Sequence, residues 1–183
     1  MRFAAPNRTW AEVSLDSIAH NFHAFGSLTK TRVMCVIKAN GYGHGSVPLA
    51  KRLVREGCDA FGVATLDEGI ELRRAGIDTR FILLLNHIAE DRVGEAIGNN
   101  LTMTVFSKEM ARRISGEAAK PVGIHVKIDT GMTRVGINPG DALETVKYMA
   151  SLPNVEIEGV YTNLSSADET GRAYTEIDRK SVV

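Results

Sequence analysis

Net charge is the first thing this sequence lacks. Lysine plus arginine and aspartate plus glutamate each number 22, leaving a formal net charge of +0 at pH 7. That balance argues against a nucleic acid or a membrane surface held by bulk charge, because either needs a cationic excess. Cysteine is scarce too: Cys35 and Cys58 stand at a spacing that fits no zinc motif, and two cysteines make no disulfide framework. A reduced, cytoplasmic compartment and no bound metal follow as expectations. No window is long and apolar enough to span a membrane, and the opening residues lack the apolar core of a signal peptide. The phosphate-loop spacing is missing, and GYGHG at 41–45 fails the dinucleotide fingerprint at its last glycine.

What is there is apolar periodicity. With 183 residues, 44% hydrophobic and 24% charged, the chain has the make-up of one globular domain. Residues 9–15 (TWAEVSL) alternate as a strand, and Asp16 is placed to cap a helix whose Ile18, Phe22 and Phe25 share one face. Residues 33–37 (VMCVI) read as a strand buried on both faces. Helix 46–56 follows, with Pro48 in its first turn and Gly57 just beyond its end. The pattern then repeats: strand 60–66, a helix capped by Asp67 and running to Arg74, strand 80–85, and a helix through Val93 and Ile97. Strand 101–106, a helix capped by Ser107, strand 121–129, helix 141–152 and strand 155–164 complete the series.

Strands alternating with helices predict βαβ units and a parallel sheet, an α/β fold. Polar residues collect at the ends of several strands: Lys38, Thr65, Asn86, Lys127 with Asp129, and Asn163. Chemistry spread over many strand ends is the habit of a (β/α)8 TIM-type barrel, which takes about 250 residues. The expectation is an incomplete barrel, about six of the eight strands. Its open edges and uncovered apolar surface predict poor solubility.

Two places carry chemistry. Lys38 ends an apolar strand, where a charged amine either snorkels to solvent or does something. An amine there can form an imine with an aldehyde cofactor or a carbonyl substrate if its pKa is depressed. Gly41, Gly43 and Gly45 behind it let backbone come close to a ligand, and the Tyr42 phenol can meet a phosphate or simply pack. His44 reads as structural. The second place is Lys127 with Arg134. Alternation puts His125, Lys127 and Asp129 on one face of their strand. Two cations converging at a barrel mouth repel, so an anion sits between them or one of them changes its charge. The plainer alternative is pairing with Asp129 in a structural layer.

VIKANGYGHG, FGVATLDEGIELRRAGI and HVKIDTGMTRVG, in this order and at these distances, resemble alanine racemase, a pyridoxal-phosphate enzyme of barrel type (fold type III). The likeness runs from about residue 10 to about residue 169. It implies that Lys38 holds pyridoxal phosphate as a Schiff base and is one of two catalytic bases, acting on the D-alanine side. It implies that Tyr42 contacts the cofactor phosphate and that Lys127 is carbamylated, hence anionic. Arg134, held by that carbamate, would reach the cofactor's phenolic oxygen and the substrate carboxylate. The implied reaction interconverts L-alanine and D-alanine, supplying D-alanine for peptidoglycan, in a cytoplasmic homodimer. One departure is Asn163 in YTNLSS, where the family usually has a histidine beside the cofactor ring. Asn163 keeps a polar tip at that cofactor-binding position but not the flat imidazole.

The resemblance also implies parts that the motifs do not reach: late barrel loops that bind most of the phosphate, and a C-terminal β domain. That domain donates a tyrosine, the second base, across the dimer. Residues 1–15 accordingly read as a strand that pairs with the missing domain, and 16–177 as a partial cofactor-binding barrel. Residues 178–183 read as a non-native tail, since one frame of a common sequencing adapter encodes those six residues. A truncated, inactive fragment is the expectation. Two further readings of the same barrel type are a single-barrel pyridoxal-phosphate carrier protein and a racemase of another amino acid.

Overall fold

Six parallel strands lie side by side in the order of the chain, β1-β2-β3-β4-β5-β6, in the computed structural model, which describes residues 10–170 and 175–176. The strands are β1 (Cys35–Val36), β2 (Ala60–Val63), β3 (Phe81–Leu84), β4 (Thr102–Val105), β5 (Val122–Lys127) and β6 (Val155–Tyr161). The helices are α1 (Leu15–Thr29), the single turn α2 (Lys38–Tyr42), α3 (Ser46–Arg55), α4 (Leu66–Arg74), α5 (Val93–Gly98), α6 (Lys108–Glu117) and α7 (Pro139–Ala150). A doubly wound sheet reverses its strand order part-way, whereas this one never does. Sequential winding is the barrel arrangement, and the predicted α/β class and strand count both hold.

Strand parity sorts the side chains into two layers. Phe61 and Val63, Ile82 and Leu84, Met103 and Val105, and Ile124 and Val126 point outward and are buried in one cluster with the helices. Leu49, Leu53, Leu66, Ile70, Val93, Met110, Ile114 and Met149 complete that layer from the helix side. The intervening positions turn to the concave face. His125 packs edge-on against Phe81 and Tyr161, and Gly159 gives its ring room, since a Cβ there would lie 3.0 Å from His125 Cε1.

Trp10–Ser14 has no ladder beside it among the described residues, and Trp10 is 75% exposed. The pairing expected for 1–15 is with a further domain and is untouched by this, and residues 1–9 lie outside the described residues. Several local expectations fail for identifiable reasons. Ser14 rather than Asp16 caps α1, its Oγ accepting the Ser17 N–H at 3.2 Å, while Asp16 in the first turn accepts from Arg52 at 2.6 Å. Thr65 rather than Asp67 caps α4, in a reciprocal capping box with Glu68, and Asp67 pairs with Arg92. In both cases a hydroxyl two residues upstream bonds the N3 amide, leaving the aspartate free for an arginine. Residues 33–37 are not buried on both faces: the ladder is only Cys35–Val36 and Val36 is 37% exposed, because β1 pairs with β2 alone. Phe25, placed on the apolar face of α1, is 60% exposed. The expected tail at 178–183 lies outside the described residues.

Candidate active site

The chain leaves β1 through an unusual turn. Ala39, Asn40, Gly41 and Tyr42 have φ of 51°, 52°, 64° and 54°, so α2 is one turn of left-handed helix. It closes through the Gly41 N–H to Ile37 O at 2.9 Å and the Gly43 N–H to Ala39 O at 3.0 Å. L-residues in this conformation cost about 1–2 kcal/mol each, so outside contacts must hold it. Asn40 Oδ1 accepts the Ser46 N–H at 2.9 Å, and the His44 Nδ1 lies 2.9 Å from Gly41 O, the structural role read for that histidine. Glu68 Oε1 accepts the Ala39 N–H at 2.7 Å. The turn brings the Lys38 Nζ to 6.0 Å from the centre of the Tyr42 ring.

At the other side of the sheet, β5 ends in Lys127, a residue only 3% exposed. Its Nζ lies 5.8 Å from the centre of the Tyr161 ring, the residue paired with it in the β5–β6 register. Burial lowers the Lys127 pKa, the Arg134 guanidinium lowers it further, and Asp129 opposes both. Asp129 is not the ion-pair partner that the plainer alternative required. Its Oδ1 accepts the N–H groups of Gly131 and Thr133 at 3.0 and 2.9 Å, and its Oδ2 that of Arg134 at 3.1 Å. Burial alone would raise the Asp129 pKa; those three N–H groups and the Lys127 amine outweigh it and lower the value.

The same carboxylate folds the loop after β5 back on itself. Gly136 makes this close approach feasible, since a Cβ there would lie 2.5 Å from Asp129 N. A bridge between Ile128 and Ile137 closes the loop and leaves Arg134 turned toward the strand ends. Among the described residues neither Lys127 nor Arg134 forms an ion pair.

All five residues named from the sequence meet there. Lys38, Tyr42, Lys127, Arg134 and Asn163 line one cavity of about 440 Å³ at the C-terminal ends of the strands, with Met34, Val36, Ala64, Leu85, Asn86, Tyr161 and Thr162. Two amines and a guanidinium face it, and no carboxylate lines it, so it suits a ligand bearing phosphate or carboxylate. Asn163 stands at the wall with its Nδ2 donating to Leu164 O at 3.4 Å. Thr65 does not reach the cavity, its hydroxyl being used in the α4 cap. A second, apolar groove of about 460 Å³ runs between α1 and β1, but it lacks converging charged groups and is no site for acid–base chemistry.

Tyr161 is the lining residue that sequence reasoning missed. Its hydroxyl hydrogen-bonds Thr104 Oγ1 at 2.8 Å, and burial raises its pKa, against the Thr104 contact and Arg134. The available signal was parity: Tyr161 occupies the inward position of β6 level with Lys127.

Comparison with known proteins gives a consistent set of relatives. Residues 13–182 match the family described as alanine racemase, N-terminal domain. The chain is 43% identical over 170 residues to the alanine racemase of Desulfovibrio desulfuricans, covering 90% of this chain and 46% of that protein. It is 42% identical over 180 residues to that of Carboxydothermus hydrogenoformans, covering 95% and 48%. The structure of alanine racemase from Clostridium difficile 630 in complex with cycloserine superposes with a TM-score of 0.91 at 36% identity, covering 98% of this chain and 50% of that one. A histidine racemase from Leuconostoc mesenteroides, 22% identical with a TM-score of 0.83, shares the fold. The chain spans about half the length of the curated relatives it matches.

Proposed function

The chain belongs to the alanine racemase N-terminal domain family, and from that premise we propose that it forms the cofactor-bearing part of a pyridoxal-phosphate enzyme interconverting L-alanine and D-alanine. The observation that carries the reading is the convergence of Lys38, Tyr42, Lys127 and Arg134 on one cavity without a lining carboxylate. Pyridoxal phosphate fits that donor set: an amine for its aldehyde, a phenol for its phosphate, and a guanidinium for its phenolic oxygen. When bound, the cofactor supplies an electron sink for the charge left as the α-proton departs.

The residues then divide the work. Lys38 would hold the cofactor through its amine and would carry the α-proton at Nζ on one face of the amino acid. Tyr42 anchors the phosphate end. Arg134 binds the substrate carboxylate with a planar pair of donors, which fixes the α-carbon relative to Lys38. Asn163 contributes a polar contact where the family's usual residue is a histidine. Lys127, whose pKa is lowered, has more of its amine neutral than an exposed lysine and so adds carbon dioxide readily. The new N–C bond releases one proton and leaves an anionic carbamate, which pairs with Arg134 and relieves the repulsion between the two cations.

By the resemblance, the opposing base is a tyrosine brought by a C-terminal domain across a homodimer. The full reaction, its D-alanine product for peptidoglycan and its cytoplasmic setting are properties proposed for the whole enzyme. Among the described residues no helix is long and apolar enough to cross a membrane. The test is chemical trapping: incubation with pyridoxal phosphate, borohydride reduction and peptide mass mapping. The adduct is expected at Lys38 and is lost in K38A; labelling scattered over surface lysines would refute the assignment. Residues 1–183 alone are expected to take the label without racemising L-alanine, as measured by chiral chromatography.

A further inference from the structure

We propose that Glu68 is a positioning residue for Lys38, an inference that rests on reading Lys38 as the cofactor-holding amine. Glu68 sits in the first turn of α4, in the position of a capping-box glutamate, and its Oε2 accepts the N–H groups of Ala64 at 2.7 Å and Thr65 at 3.1 Å. A helix cap needs nothing more. The other oxygen leaves the helix altogether: Oε1 accepts the Ala39 N–H at 2.7 Å, 29 residues away along the chain.

Ala39 follows Lys38 directly and is the first of five consecutive residues with positive φ, 39 to 43. Neither of the bonds that close the left-handed turn uses its N–H, which come from Gly41 and Gly43. The donor at the entrance to the turn is thus satisfied from outside, by a carboxylate, and charge-assisted bonds of this length are the strong ones. Sheet support before Lys38 is short and ends with the Ile37 N–H donating to Gly62 O at 2.9 Å, and the Asn40 and His44 contacts hold only the later part of the turn. β1 contributes only the pairs Cys35–Phe61 and Val36–Gly62 to the sheet, and the chain leaves it at once for the turn. Glu68 ties the end of β1 to the end of β2, where Ala64 borders the same cavity as Lys38. Among the described residues it forms no ion pair with Lys38 and does not line the cavity, so it acts by fixing the backbone that aims the amine.

The two jobs of Glu68 separate chemically. In E68Q the amide oxygen still accepts from Ala64 and Thr65, as a capping-box glutamine does, but the amide NH2 then faces the Ala39 N–H, donor against donor. T65V removes the hydroxyl half of the cap and leaves the Ala39 contact alone. Three measurements distinguish the outcomes: exchange of the Ala39 amide in cofactor-free protein, borohydride-trapped label at Lys38 after pyridoxal phosphate, and the thermal midpoint.

The expected result is faster Ala39 exchange and about a tenfold lower Lys38 label in E68Q, the scale for a backbone donor losing a charged acceptor. T65V should lower the midpoint yet keep the label. Equal labelling of E68Q and wild type, or an equal loss in T65V, reduces Glu68 to a helix cap and overturns the proposal. If wild-type protein takes no label at Lys38, the cofactor reading itself falls. Ala39 exchange then still decides whether Glu68 holds the turn: unchanged exchange in E68Q overturns it, and faster exchange sustains it.

Discussion

Lys127 shows how one side chain can be a liability until its chemistry changes. A cation in a buried position is unfavourable, and the face of Tyr161 at 5.8 Å returns only part of that cost, about 1 kcal/mol. Its folded pKa lies below the ordinary 10.5 because burial and Arg134 disfavour the charged form. Between those two values the unfolded chain binds a proton that the folded chain does not, so stability rises with pH across that window. In carbonate-free buffer near pH 7, K127M is expected to be more stable than the parent by about 1 kcal/mol. That difference should shrink as the pH climbs toward 10.5. Added bicarbonate should stabilise the parent and leave K127M unmoved, because only a lysine can become the anion that Arg134 lacks. Denaturant unfolding at several pH values, with and without bicarbonate, checks both statements; a bicarbonate effect that persists in K127M would remove the carbamate.

Among the elements, the left-handed turn α2 is where backbone conformation sets function. Gly41 is needed there twice over: φ is +64°, and a Cβ would lie 2.5 Å from Leu49 Cδ1 and 3.3 Å from Ser46 N. Leu49 is 4% exposed and borders the apolar groove, so its Cδ1 can shift only on that side, while the Ser46 backbone cannot give way. G41A should therefore destabilise by about 2 kcal/mol, adding overpacking to conformational strain. Gly43, at φ +86°, has nothing within 4 Å of its would-be Cβ, so G43A should cost only the strain, about 1 kcal/mol. Urea titration of the two variants measures the gap; equal costs would show that Leu49 yields freely. Helix starts teach a related lesson. The sequence placed caps at Asp16 and Asp67 on residue type alone, but Ser14 and Thr65 take those roles. An aspartate two residues inside the cap competes well on propensity and loses once a hydroxyl has reached the N3 amide and an arginine is near.

For the whole molecule, the sheet order leaves β1 and β6 each paired on one side only among the described residues. Beside β1 runs the apolar groove bordered by Phe22, Phe25, Val33 and Ile37, and Leu28 nearby is 78% exposed. Unpaired strand edges next to apolar surface favour association. Sedimentation of residues 1–183 should show mass rising with concentration, and an apolar fluorescent dye should bind. F25Q should weaken dye binding while leaving Lys38 labelling intact, since Phe25 borders the groove and not the charged cavity. A monodisperse, dye-negative monomer at high concentration would show that the groove is closed in solution.

The sequence alone determined the alternation of strands and helices, the parallel α/β class and the residues at the strand ends, because period-2 and period-3.6 patterns are written in neighbouring residues. It also determined that Lys38 and Lys127 needed explaining, since each puts a charge at the end of an apolar run. Only the tertiary structure decided that Tyr161 faces Lys127 and that Glu68 reaches Ala39, and it supplied the cavity for positions 38, 127, 134 and 163 that the resemblance had only implied. Those meetings depend on strand order and register, which bring together residues far apart in the chain. The hand of the turn after Lys38 belongs to the same class. Ala39 and Asn40 carry no local preference strong enough to impose positive φ, and the contacts from Glu68 and Ser46 hold it there.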